Sequence, residues 1–167
     1  YPINQPELKI INGELQDMTY MFRENREALT RIAIKTYIRS IEQDGIDNVM
    51  IVTPRRDNCE NSASEINKKI VDLIADKSQR YMQLGDKYFY VGAKVMQTDN
   101  NYEKNVFNGE IGYITKIYDV VDENEKQIGF DVEFKLGDRE KTVSYKRSEL
   151  GQLELAYAAT CHKLQGS

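Results

Sequence analysis

The sequence predicts an α/β layer interrupted by a small all-β insert. Three observations carry that fold class. Apolar residues recur at three- and four-residue spacing over residues 24–43 and again after Ser62, as helices with one buried face require. Asn48-Val49-Met50-Ile51-Val52-Thr53 is an apolar run of strand length stopped by Pro54, the pattern of a parallel strand covered on both faces. Over residues 82–153 the period changes. Short, partly alternating runs are separated by Gly85, Gly92, Gly109, Gly112, Gly129 and Gly137, which predicts a small antiparallel barrel.

Taken in order, Asp17–Phe22 is a short strand candidate. The first helix, residues 24–43, places Ala28, Leu29, Ile32, Ala33, Tyr37 and Ile41 on one face, and Gly45 ends it. A polar loop, residues 55–61, leads to a second helix from Ser62 to about Asp76. Its apolar face is Ile66, Ile70, Leu73 and Ile74, and Ser62 with Glu65 forms a capping box. The insert's strands fall at Ala93–Gln97, Ile111–Val121, Ile128–Leu136 and Lys141–Tyr145, with Asp122–Lys126 as a solvated hairpin tip. Phe107 reads as barrel core, Asn108-Gly109 as a turn, and Lys146-Arg147 as a charged strand end. Leu153–Ala159 then reads as one buried strand emptying into Thr160–Ser167. The expected units are residues 1–81, the insert 82–153, and a return strand with its loop, 154–167.

A chain of 167 residues and 19.4 kDa can bury a sizeable core without disulfide or metal staples. No run approaches the ~20 apolar residues of a membrane helix, and no secretory leader is expected. The sequence begins at Tyr1 and stops at Ser167, and is read as a piece of a longer protein. With 23 Lys and Arg against 27 Asp and Glu, it lacks the basic excess of a free-standing DNA binder; any nucleic-acid contact must be local. Cys59 and Cys161 form no Cys-x-x-Cys pair, which suits a reducing cytoplasm. With a single histidine they make no zinc site of the usual spacing.

The most informative stretch is Ala156-Tyr157-Ala158-Ala159-Thr160-Cys161-His162-Lys163-Leu164-Gln165-Gly166-Ser167. It is a buried strand opening into a polar loop, the place where ligands bind in parallel α/β sheets. Thr160 offers a hydroxyl, His162 a ring N–H, Lys163 a cation, Gln165 an amide, and Gly166 room for close backbone approach. That set holds phosphate and sugar. Cys161 beside His162 is no thiol catalyst, since neighbours on an extended chain point to opposite faces.

This stretch resembles motif V of superfamily 1 DNA helicases of the RecD/TraA type, whose pattern is close to A-Y-A-x-T-x-H-K-S-Q-G-S-E. Two further stretches resemble that family in its order. One is Gly92-Ala93-Lys94-Val95-Met96-Gln97, with Asn100-Asn101-Tyr102 and Val106-Phe107-Asn108-Gly109-Glu110-Ile111-Gly112, which is similar to its SH3-like insert. The other is Val49–Arg56 with Glu65-Ile66-Asn67. Ala93 stands where the family has Asp, and Leu164 where it has Ser.

The resemblance, which extends to the exodeoxyribonuclease V alpha-subunit family, implies a C-terminal fragment. Its fold would be a partial RecA-like (P-loop NTPase-type) domain with an inserted SH3-like barrel. The parent would be an ATP-dependent 5′→3′ DNA helicase using ATP and Mg²⁺. Single-stranded DNA would meet Thr160, His162, Lys163, Asn101, Tyr102 and Arg55, with Tyr102 or Phe107 stacking a base. Gln165 and Gly166 would edge the nucleotide cleft. The partners would be that DNA and the remaining helicase domains of the same chain, with subunits of a nuclease complex as an open alternative to a parent that acts alone. The sequence contains no G-x-x-x-x-G-K-[ST] loop, so the fragment alone is expected to hydrolyse no ATP.

Two rival readings come from other classes. A non-enzymatic SH3-like module would bind a proline-rich peptide through Tyr88, Phe89, Tyr90, Tyr102, Tyr113 and Tyr118. An RNA-binding barrel would need a more basic chain and no flanking α/β layer.

Overall fold

The structure, a computed structural model, describes residues 25–56, 59, 61–122, 125–136 and 139–161. The expected strand Asp17–Phe22 lies outside the described residues. So do His162, Lys163, Gln165 and Gly166.

Helix α1, Arg26–Asp44, opens on Asn25, whose side chain accepts from the N–H groups of Glu27 (2.8 Å) and Ala28 (3.4 Å). It closes on Gly45 at φ 84°, whose N–H donates to Ile41 O at 3.1 Å. Strand β1, Ile51–Thr53, is followed by α2, Ala63–Ile74. Ser62 caps α2 by accepting from Glu65 N at 3.3 Å. The capping box stays half-made. The Ser62 N–H goes to Cys59 O, and the Glu65 carboxylate is drawn to Lys68 one turn on, at 2.7 Å.

Strands β2 (Tyr81–Leu84) and β3 (Lys87–Tyr90) form a hairpin. Then come β4 (Lys94–Gln97), β5 (Ile111–Asp122), β6 (Glu125–Leu136), β7 (Arg139–Lys146), a 3-10 helix (Arg147–Gln152), β8 (Leu153–Leu155) and β9 (Ala158–Thr160). A five-stranded antiparallel sheet runs β7-β6-β5-β4-β8. Among the described residues no ladder joins β7 to β8, so the sheet is open rather than a closed barrel. A register shift between Ile114 and Lys116 bends β5. Val95, Val106, Ile114, Phe130, Val132 and Phe134 form its core, each at 0% exposure.

Two sequence expectations need correction. Leu153–Ala159 is not one strand. Leu155 pairs with Val95 in the five-stranded sheet, Ala156 and Tyr157 turn the chain, and β9 runs parallel to β1 with Thr53 opposite Thr160. Nor is β1 covered on both faces. Val52 is 52% exposed, because among the described residues no layer packs over that face of the β1–β9 pair.

Candidate nucleic-acid interface

The carboxyl ends of β1 and β9 lie side by side, so Thr160 sits at the same edge as Thr53, Pro54 and Arg55. Thr160 is 8% exposed, at the rim. The Arg55 and Arg56 carbonyls accept from the N–H groups of Ala63 (2.8 Å) and Ser64 (3.0 Å), while Ser62 takes those of Glu65 and Ile66. The first four amides of α2 are thus engaged within the chain, and this helix end is not a phosphate cradle. The Arg56 guanidinium meets Glu154 at 2.7 Å. A cavity of about 30 Å³ beside it is lined by Ser64, Asn67, Lys87 and Thr160 among others. The side chain of Arg55 is exposed at this edge.

Asn67 fixes where β9 goes. Its buried amide donates to Leu155 O (2.8 Å) and Ala158 O (2.9 Å), and its oxygen accepts from Ala158 N (2.7 Å). It spans the break between β8 and β9, satisfying backbone groups that no ladder reaches there. Sequence reasoning noticed Asn67 only as part of a pattern. Its partners are 88 and 91 residues away in the chain.

Lys94 was missed as well. It is 2% exposed, and its ammonium donates to Ile46 O (2.7 Å) and Val49 O (3.1 Å). Burial holds its pKa below the ordinary lysine value. Its backbone N–H donates to the Tyr157 hydroxyl at 3.2 Å. Asp47, in the same loop, binds Lys135 at 2.5 Å and the Tyr113 hydroxyl, and these bonds hold its carboxyl below the usual range. The loop after α1 is therefore clamped onto the five-stranded sheet. Ala93 is buried at 4%, so the family's carboxylate at that position is replaced by packing.

The loop after β4 is built to hold its shape. Asn101 and Val106 exchange backbone hydrogen bonds at 2.7 and 3.0 Å. The Asn101 side chain accepts from Lys104 N (3.1 Å) and donates to Gln152 Oε1 (3.1 Å), and Asn100 accepts from Asn108 N (2.9 Å). Buried Gln97 ties Asp99 O, Gln152 and the Tyr145 hydroxyl together. Lys104 reaches Glu149 at 2.7 Å and lies 4.4 Å over the Tyr145 ring. Burial alone would raise the Glu149 carboxyl, but Lys104 and the Lys146 N–H bring it below the usual range.

Asn101 is thus spent on the loop's own geometry. What the loop presents is Tyr102, 77% exposed, edge-on to Phe107 at 5.9 Å. Phe107 is 37% exposed and so is not core; Val106 beside it is the anchor.

The structure brings Thr160 and Arg55 to one edge and sets Asn101 and Tyr102 on a separate loop of the five-stranded sheet. The aromatic set of the peptide-binding reading does not share one groove. Phe89 is buried on the face opposite Tyr88 and Tyr90, Tyr113 binds Asp47, and Tyr118 binds Asp131 at 2.9 Å. Among the described residues no helix is long and apolar enough to cross a membrane.

Residues 66–138 match the family model described as the ATP-dependent RecD-like DNA helicase SH3 domain, and the resemblance to RecD-like helicases read from the sequence is shown by that match. Solved structures similar to the chain are Pif1 helicases. One, a study of forked DNA unwinding by two coordinating Pif1 helicases, has TM-score 0.42 and 19% identity over 88% of this chain and 40% of its own. Unliganded Pif1 from Bacteroides sp has TM-score 0.36 and 19% identity over 74% and 45%. Bacteroides Pif1 with ADP-AlF3 and single-stranded DNA has TM-score 0.35 and 19% identity over 87% and 42%. The chain spans less than half the length of each, and likeness at this level assigns no residue and no activity.

Proposed function

We propose that the chain is part of an ATP-dependent 5′→3′ DNA helicase of the RecD/TraA type, to which it supplies contacts with single-stranded DNA. The observation that carries this is the helicase SH3 match over residues 66–138, which includes the braced loop presenting Tyr102. In this reading residues 1–81 and 154–167 belong to the second RecA-like domain, and 82–153 are its SH3-like insert. Thr160, His162, Lys163 and Arg55 follow the strand's phosphates, and Tyr102 stacks on a base. Asn101 contributes through the loop it shapes. Gln165 and Gly166 edge the cleft where the intact parent, in the cytoplasm, hydrolyses ATP with Mg²⁺. The partners are that DNA and the remaining domains of the same chain, whether the parent acts alone or in a nuclease complex. The piece alone, without a phosphate loop in its sequence, performs no ATP hydrolysis.

Fluorescence anisotropy of labelled oligo-dT tests the reading. Weak, salt-sensitive binding that His162→Ala/Lys163→Ala and Tyr102→Ala each reduce supports it. Binding indifferent to all three substitutions would sink it, as would unchanged DNA-stimulated ATPase of the parent carrying His162→Ala.

A further inference from the structure

The β2–β3 hairpin carries a second aromatic surface that the helicase reading leaves unused. Its register places Tyr81 opposite Tyr90 and Gln83 opposite Tyr88. Successive strand residues alternate in face, so Tyr81, Gln83, Tyr88 and Tyr90 share one side while Met82 and Phe89 share the other. Met82 and Phe89 are buried at 1% and 0%, and they fix which side faces inward. The outward side leaves Tyr81 50% and Tyr88 40% exposed, while Tyr90 is half-buried against the core and supports the Tyr81 ring from beside. The Tyr81 ring lies 5.6 Å from that of Tyr88 and 5.3 Å from that of Tyr90, tilted rather than stacked. The turn that holds the hairpin uses Gly85 at φ 61°, where a tight hairpin needs positive φ, and Asp86 beside it is held by Lys68.

The charges around this face select its occupant. None of its four residues is a carboxylate. The Arg80 charge beside Tyr81 is paired with Asp119, so the cation offered at this margin is Arg147, whose guanidinium gives one N–H to Gln83 O at 3.3 Å. Exposed rings on an antiparallel face, with arginine at the margin, are the chemistry that holds unstacked bases and their phosphates.

Position adds a third argument. The 3-10 helix that begins at Arg147 also holds the Tyr102 loop, through Glu149 with Lys104 and Gln152 with Asn101. The two aromatic surfaces are therefore tied to one six-residue segment, the hairpin at Arg147 and the Tyr102 loop at Glu149 and Gln152.

We infer that the Tyr81–Tyr88 face of the β2–β3 hairpin is a second contact for single-stranded DNA, stacking bases beyond the Tyr102 loop. The inference rests on the helicase reading for its choice of ligand, and on the hairpin alone for its site.

The test is anisotropy of labelled oligo-dT with the 167-residue chain at low salt, comparing wild type, Tyr81→Ala/Tyr88→Ala, Tyr81→Phe/Tyr88→Phe and Tyr102→Ala, each checked for native circular dichroism. The alanine pair is expected to weaken binding about tenfold or more, and the phenylalanine pair, which keeps the rings, to stay within about twofold of wild type. If the alanine pair binds as wild type while Tyr102→Ala is weakened, the hairpin inference is overturned and the helicase reading stands. If the alanine pair is weakened while Tyr102→Ala and His162→Ala/Lys163→Ala are not, the hairpin contact stands and the proposed strand track fails. A wild-type chain that does not bind oligo-dT at high micromolar concentration, or a hairpin that captures a proline-rich peptide in preference to it, also overturns the inference.

Discussion

The five-stranded sheet and the β1–β9 layer bury their backbones by different means. In the sheet, β5 and β6 pair along most of their length, and Val95, Ile114, Phe130, Val132 and Phe134 are sealed at 0% exposure. Apolar packing over a long ladder suffices there. The α/β layer has two strands of three residues each. It leaves Leu73 66% exposed beside a groove of about 820 Å³ between α1 and α2. What fixes its geometry is a few buried polar side chains, Asn67 and Lys94 foremost, each satisfying backbone groups that a wider sheet would satisfy by itself. A region with a short ladder depends on individual hydrogen bonds, and losing one leaves a buried group unpaired.

The largest way to break this contrast is Asn67→Ala. It strands Leu155 O, Ala158 O and Ala158 N together, and should cost about 3–5 kcal/mol. Hydrogen exchange should show β9 amides opening while β5 and β6 amides stay protected; uniform loss across both regions would contradict the comparison. Within the sheet, Gly112→Ala should cost about 2–3 kcal/mol by overpacking. Its Cβ would meet Glu133 O at 2.6 Å, and backbone cannot step aside as a flexible side chain can. A chemical denaturation midpoint equal to wild type would count against that.

Lys94→Met keeps the volume and removes the donor to Ile46 and Val49. Urea unfolding should show a loss of about 2 kcal/mol. A stabilised variant would mean the clamp is dispensable.

A smaller effect concerns pH. Glu149's folded carboxyl lies below its ordinary value of 4.5, so its contribution is present above that value and is lost as pH falls through the lowered one. Glu149→Gln should therefore make the acid limb of Tm against pH shallower; an unchanged limb would remove Glu149 from the account. The smallest effect is expected from Tyr37→Phe. The Tyr37 hydroxyl is buried and has no hydrogen-bond partner among the described residues. Its removal should leave stability unchanged or raise it by up to about 1 kcal/mol, read from the same urea curves.

Much of the fold is legible in local pattern. Helical spacing, the Gly45 stop after α1, and the glycine-punctuated strands after residue 81 all act over a few residues, so the sequence shows them directly. The site is legible only in part. Tyr102 was visible as an aromatic in a polar turn and is in fact exposed. Phe107 was taken for core because an aromatic in a β-rich segment usually is; the neighbouring Val106 fills that place. The break at Ala156-Tyr157 escaped pattern reading because both strands that it joins are apolar, and hydrophobicity alone does not say which sheet each one joins.

The sequence by itself determined the two helices, the long strands after residue 93 and the likeness to RecD-like helicases. Local propensity and spacing act within a few residues, so one chain is enough to read them. Only the tertiary structure decided that Asn67 holds the β8–β9 break, that Lys94 clamps the loop after α1, that no ladder among the described residues closes the sheet, and that Tyr81 and Tyr88 of one hairpin share an exposed face. Those outcomes depend on which distant backbone groups lack a partner once the chain has packed, and no window of sequence contains both sides of such a bond.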